Sequence, residues 1–159
     1  MRLGKLILLL AIILCWSQAA RAQSSASVVK VGSGEPVYKI PKGSSAPIVV
    51  TIDIEPGYHI NSNRPADKYL IATALKLDRA AGISASLITY PKAKLKKFSF
   101  SPKPLSVYEG HVELRFNARA LSAAGGPQTI RGKLTVQACN DEACLRPQTI
   151  DVTLQIEVM

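Results

Sequence analysis

The last nine residues before the C-terminal Met constrain the fold more than any other stretch. Ile150, Val152, Leu154, Ile156 and Val158 alternate with Asp151, Thr153, Gln155 and Glu157. That period of two is met by an extended strand with one face buried and one face wet. The same alternation recurs where Ile48, Val50, Ile52 and Ile54 interleave with Val49, Thr51, Asp53 and Glu55, and where Val112, Leu114 and Phe116 interleave with Glu113, Arg115 and Asn117. Weaker strand signals cover Tyr69–Leu77, Ile83–Tyr90 and Thr129–Ala138. The first contains a helix-prone Ala72–Leu77, but its larger residues (Tyr69, Ile71, Thr73, Leu75, Leu77) keep the β period.

Turn-forming residues separate these runs: Glu55-Pro56-Gly57, Ala81-Gly82, Tyr90-Pro91, Pro102 to Pro104, Glu109-Gly110 and Gly125-Gly126-Pro127. Seven or so short strands with such punctuation predict an all-β fold, an immunoglobulin-like antiparallel β-sandwich, with a small barrel as the structural alternative. Two stretches break the rhythm, His59 to Asp67 and Lys92 to Pro104. Both read as loops, which on a rigid sandwich are where sites tend to be built.

The N-terminus carries a different signal. Arg2 and Lys5 precede an apolar run from Leu6 to Trp16, and Ala20-Arg21-Ala22 places small residues where a signal peptidase reads them. Residues 1–22 are therefore expected to be a cleaved signal peptide, with the mature chain starting at Gln23 in the periplasm or otherwise exported. The apolar run falls short of the ~20 residues that span a bilayer, and Leu14 argues against a lipoprotein signal built on Cys15. Residues 23–35 are expected to be a flexible segment leading into an edge-like strand at Val28, Val29 and Val31, and residues 36–159 to form the domain. No later stretch is long and apolar enough to cross a membrane as a helix, so a soluble mature protein is expected.

Loss of residues 1–22 leaves 137 of 159 residues and, with Arg2, Lys5 and Arg21 gone, lowers the formal charge from +9 to +6. One domain with a real core fits that length. Lys92, Lys94, Lys96 and Lys97 concentrate positive charge, which reads first as a solvated loop and second as a patch for an acidic partner or an anionic membrane face. Export and the lack of an aromatic ladder argue against nucleic acid as a partner.

Cysteine usage narrows the chemistry. Cys15 leaves with the signal, so the mature chain holds Cys139 and Cys144, five positions apart, in a compartment where disulfides persist. Strand signals on both sides and the turn formers Asn140 and Asp141 predict a hairpin with the two cysteines opposed, Cα atoms ~5.5 Å apart and able to bond. A six-residue ring adds only about 2 kcal/mol in the chain-entropy model, and a domain of this size folds without such a staple. Spacing therefore favours a reactive pair over a structural bridge, without settling the choice. Arg146 favours a thiolate, whereas Asp141 and Glu142 oppose it. His59 and His111 raise the rival of a Cys/His metal cluster, but the spacing matches no zinc module; neither metal nor cofactor is expected. The chain also lacks a nucleophile elbow, a paired-carboxylate signature and a phosphate-cradling glycine loop.

Several stretches together resemble one family: Gly57-Tyr58-His59-Ile60-Asn61-Ser62-Asn63-Arg64-Pro65, Tyr69-Leu70-Ile71-Ala72-Thr73, Tyr90-Pro91, Val107-Tyr108-Glu109-Gly110, and Gln137-Ala138-Cys139 with Cys144 and Pro147. From about Val37 onward the chain is similar to the N-terminal periplasmic domain of DsbD, the bacterial thiol:disulfide interchange transporter. The resemblance implies an immunoglobulin-like fold with Cys139 and Cys144 as the catalytic pair in a terminal hairpin. It implies a reduced pair that takes electrons from a transmembrane or thioredoxin-like donor and passes them to periplasmic disulfide-bearing acceptors, Cys144 attacking. It further implies a cap loop at Lys97 to Ser101, with Phe98 or Phe100 covering the pair, and places Tyr58, Asn61 and Pro147 beside it. The bland reading of the two phenylalanines is a strand edge feeding the core. Lys96, Lys97 and serines stand where the family's best-known members carry an acidic pair, and with the sequence stopping at Met159 the electron donor is expected to be another protein, or the domain to have been recruited to another task. The expected function is thus an exported interchange module, nearer an electron carrier than a turnover enzyme. The alternative is a non-catalytic protein-binding sandwich with a structural disulfide, and a copper or zinc chaperone stands third.

Overall fold

A computed structural model describes residues 24–159; the signal-peptide reading and Cys15 lie outside the described residues. After a 3-10 turn at Ser25–Ser27, twelve strands follow: β1 (Val29–Ser33), β2 (Tyr38–Ile40), β3 (Ser45–Ile54), β4 (His59–Asn61), β5 (Ala74–Leu77), β6 (Ile83–Ala85), β7 (Lys94–Lys96), β8 (Leu105–Tyr108), β9 (His111–Ala120), β10 (Gly126–Val136), β11 (Ala138–Cys139) and β12 (Gln148–Val158). They hydrogen-bond in the orders β1-β3-β9-β6, β2-β12-β10-β5 and β11-β4-β8-β7. The fold is an immunoglobulin-like β-sandwich whose named strands pair antiparallel apart from β2 with β12.

The three strongest alternations are the three longest-reaching predictions that hold. Ile48, Val50, Ile52 and Ile54 from β3 meet Val112, Leu114 and Phe116 from β9 inside one sheet. Leu134 and Val136 from β10 and Val152, Leu154, Ile156 and Val158 from β12 line the other, and all belong to one buried cluster. Their intervening residues, such as Asp53, Arg115 and Asp151, face solvent. At ~1.5–3 kcal/mol per fully buried aliphatic side chain, this shared core is the main favourable term of the fold.

The third sheet grows from one end of the sandwich. Three of its strands continue long ones after short breaks: β3 runs into β4, β8 into β9 and β10 into β11. The β3–β4 break is a turn in which the Tyr58 N–H donates to the Glu55 carbonyl at 3.1 Å. Pro56 presets the first central position, and Gly57, at φ 84°, supplies the left-handed second one.

Four expectations need correction. His59 to Asp67 is not a loop throughout, because His59–Asn61 form β4, buried at all three positions; polar residue types hid a strand whose side chains find cover within the protein. Within Lys92 to Pro104, Lys94–Lys96 pair with β8. In Tyr69–Leu77 only Ala74–Leu77 are a strand. Its first half is held instead by side chains, with Asn61 Nδ2 donating to the Ile71 carbonyl (3.0 Å) and the Ile71 N–H donating to Gln137 Oε1 (3.3 Å). Lastly, the segment expected to be flexible holds the expected edge-like strand as β1, which pairs with β3, and Val28 and Val29 are buried. Ser25 is buried as well, its Oγ donating to the Arg146 carbonyl (2.8 Å) and accepting from the Ala138 N–H (2.9 Å).

Candidate functional site

Cys139 and Cys144 form a disulfide, with Cα atoms 3.9 Å apart. They oppose each other in an antiparallel bridge, as expected of a hairpin, though closer than the typical cross-strand pair. Asn140 shapes the tip: its Oδ1 accepts from the Glu142 and Ala143 N–H groups at 2.9 and 2.8 Å, and its own N–H donates to the Ala143 carbonyl. An asparagine side chain that stands in for a backbone acceptor is a common turn device. At the base, the Leu145 N–H donates to the Ala138 carbonyl at 2.8 Å.

The two cysteines differ in exposure. Cys139 is fully buried, whereas Cys144 is exposed. Exchange runs by attack of a thiolate on a disulfide sulfur, and of the two bonded residues Cys144 is the one that solvent reaches.

Across the end sheet, Cys139 pairs in register with His59 of β4. His59 is 1% exposed, and the Phe98 ring stacks on its imidazole with centroids 4.1 Å apart and planes 22° apart. Phe100 stacks on Phe98 in turn, at 5.4 Å, and is 41% exposed. The loop that carries both rings joins β7 to β8. It is tied to the cysteine hairpin by Ser99 Oγ, which donates to the Asp141 carbonyl at 3.1 Å. Phe98 also packs with Leu105, Val107 and Leu70 in a small cluster separate from the main core, so it fills an apolar site while roofing the imidazole.

Charge around the site is organised rather than diffuse. Lys96 pairs with Glu109 at 2.6 Å and Lys94 with the same carboxylate at 3.5 Å. Lys97 Nζ donates to the Pro102 carbonyl. Three members of the lysine run therefore have local partners while staying exposed to solvent. The hydrogen bond from Lys96 holds the Glu109 carboxyl below its usual range. Burial, then the positive charge of Lys96, lowers the pKa of His59, against smaller opposing effects of Glu109 and Asp141. A cavity of about 310 Å³ beside the imidazole is lined by Tyr58, His59, Lys96, Glu109 and Asp141, among others.

Of the residues singled out from sequence, Tyr58 lies half-buried on the wall of that cavity. Asn61 is buried two residues beyond His59 on the same strand, its Nδ2 donating to the Ile71 carbonyl and to Gln137 Oε1 (3.3 Å). Pro147 is exposed, three residues after Cys144. His111 sits on β9 against Asp53 (2.7 Å) and Glu113 (3.7 Å). Among the described residues no group of three or more His, Cys, Asp or Glu side chains is placed to hold a metal. Likewise no helix there is long and apolar enough to cross a membrane. In the sequence, His59 and Gln137 stand in stretches that carry the family resemblance, and His59 also reads as a possible metal ligand; neither of them, nor Ser25, stands out there as part of the site. The turn at Glu55-Pro56-Gly57 was the available signal for His59, since it fixes a strand start immediately after it.

The sequence profile described as "Thiol:disulfide interchange protein DsbD, N-terminal" matches residues 28–156. The chain belongs to this family. Among solved structures it is similar to the DsbD N-terminal domain of Neisseria meningitidis in the reduced form, with 19% identity over 84% of this chain and 86% of that one and a TM-score of 0.47. It is also similar to the N-terminal periplasmic domain of ScsB from Proteus mirabilis, with 14% identity over 82% of this chain and a TM-score of 0.51. The chain spans 45% of that ScsB chain, less than half its length, and at this identity the likeness is one of fold. No curated protein matches the chain. Membership in the DsbD N-terminal family and the Cys139–Cys144 disulfide together support thiol–disulfide interchange.

Proposed function

We propose that this DsbD N-terminal-type domain is an exported, periplasmic electron relay that works through the Cys139/Cys144 pair. The observation that carries the reading is the unequal exposure of two bonded cysteines at a hairpin tip. A donor thiolate, from a transmembrane or thioredoxin-like protein, attacks Cys144, and Cys139 leaves as the thiolate. The donor's second thiol then closes its own disulfide and releases the reduced pair. In the forward step, Cys144 attacks an acceptor disulfide, and Cys139 resolves the mixed disulfide. Two electrons pass in each half-cycle, and the pair returns to its starting state. Phe98 and Phe100 act as the cap, held against the hairpin by Ser99, with Tyr58, Asn61 and Pro147 as its surroundings.

The test is trapping. Cys139→Ser leaves Cys144 able to attack but unable to be displaced, so it should accumulate mixed disulfides with periplasmic acceptors; Cys144→Ser should accumulate none. If instead the wild-type bridge resists thioredoxin and has a potential below about −300 mV, the pair is a structural staple, and the sandwich is a protein-binding module.

A further inference from the structure

Three residues stand in one row across the end sheet. Cys144 opposes Cys139, and Cys139 opposes His59. Side chains opposed in antiparallel register share a face, with Cβ atoms ~4.5–5.5 Å apart. The row thus runs from an exposed cysteine through a buried cysteine to a buried imidazole. Nε2 of that imidazole is buried without a hydrogen-bond partner among the described residues. A buried polar nitrogen left so is uncommon and asks for a reason.

From this we infer that His59 is the proton acceptor for the Cys139 thiol, and that Nε2 is left unpartnered in the disulfide state because its partner is the S–H that appears on reduction. This rests on the interchange reading. Cys139 must become a thiolate to resolve a mixed disulfide, yet full burial disfavours a thiolate. A neutral imidazole alongside removes that obstacle. In resolution the Cys139 proton passes to Nε2, the Cys139 thiolate forms a bond to Cys144 Sγ, and the bond from Cys144 to the partner sulfur breaks. The partner leaves as a thiolate and takes up the proton, directly or through solvent. The pair is oxidised by two electrons and the partner disulfide is reduced. In the reverse direction, the Cys139 thiolate expelled by a donor takes its proton from the imidazolium.

The surroundings suit an acceptor that stays neutral at the working pH. Phe98 covers one ring face. Lys96 from β7 disfavours the imidazolium, whereas Glu109 after β8 and Asp141 in the hairpin favour it. Glu55 and Tyr58 line the adjoining cavity, which offers the proton a polar way out.

The reduced chain should be mixed with 5,5′-dithiobis(2-nitrobenzoate) in a stopped-flow instrument. Attack by Cys144 releases one thionitrobenzoate in a phase that scales with reagent concentration. Resolution by Cys139 releases the second in a phase that does not. In His59→Phe, which keeps an aromatic ring under Phe98, and in His59→Gln, the second phase should slow at least tenfold at pH 6.5, while the first changes by less than twofold. General base catalysis commonly supplies 10²–10⁴-fold. In the wild type the second phase should hold its rate down to below pH 6.5; in both variants it should fall about tenfold per pH unit below the thiol range near ~8.5. A second phase equal in wild type and variants at every pH overturns the inference and leaves the relay intact. Absence of any reagent-dependent first phase in the wild type overturns the relay reading itself. Should neither variant fold, the wild-type profile decides alone: an inflection below 6.5 supports His59, and one in the thiol range refutes it.

Discussion

The body of the sandwich and the small sheet at its end are built on opposite terms. In the body, strands of ten or eleven residues bury aliphatic side chains and leave charged ones in water. In the end sheet, strands of two to four residues enclose His59 and Asn61, with Ser62 and Thr73 buried alongside. Two polar atoms there, His59 Nε2 and Asn61 Oδ1, lack partners among the described residues. The main core lies in the first region and the proposed exchange site in the second, with β3, β8 and β10 leading across the junction.

The sharpest way to break this division is Cys144→Ser. It should abolish reduction of a model disulfide protein while unfolding, followed in urea, changes by no more than the ~2 kcal/mol ascribed to a six-residue ring. Leu114→Ala is its mirror image. Leu114 is fully buried in the body, so about 2–5 kcal/mol of stability should go, with the exchange rate of the folded fraction unaltered. A tenfold loss of exchange in that variant contradicts the separation. Phe98→Ala falls between. It should lower stability by about 3 kcal/mol or less, since its cluster is small, and make the reduced pair react several-fold faster with a small oxidant. Unchanged oxidation kinetics rule out the cap.

Much of the body was legible beforehand because burial on one face leaves a period of two. Ile150 to Val158 could hardly be anything else. The end sheet was not legible, for reasons its residues make plain. His59, Ile60 and Asn61 are buried on both faces, so no alternation survives, and polar identity then argues for a loop. Tyr69 to Thr73 shows the converse error: an alternating pattern whose hydrogen bonds are taken by Asn61 and Gln137 side chains instead of a strand. The cysteine hairpin was readable, since Asn140 and Asp141 announce a turn. The stacking of Phe98 on His59 joins residues 39 positions apart, and no local pattern reports it.

The two histidines give the comparison a smaller test. His59, in the end sheet, has its pKa lowered from 6.5 chiefly by burial. The unfolded chain therefore takes up this proton first. The stability that goes with neutral His59 is complete above pH 6.5 and is lost as pH falls through the lower folded value. His111, on the body, is raised from 6.5 chiefly by its hydrogen bond to Asp53. Its contribution is present below pH 6.5 and disappears as pH rises through the folded value. Urea midpoints measured from pH 5 to 8 should thus lose their acid-side decline in His59→Phe and steepen it in His111→Gln. Identical profiles in both variants remove the distinction. Smallest of all, Glu109→Gln should cost under about 1 kcal/mol, because exposed ion pairs are weak, and raising the salt concentration should shrink the difference further.

Ser25 has a consequence for how this protein is made. Its hydroxyl and amide tie the foot of the cysteine hairpin, through Ala138 and Arg146, to the first few residues the structure describes. A recombinant version trimmed to start at Val28, where the family match begins, keeps every long strand and forfeits that latch. Where a protease or a cloning boundary cuts upstream therefore bears directly on how firmly the two sulfurs are held.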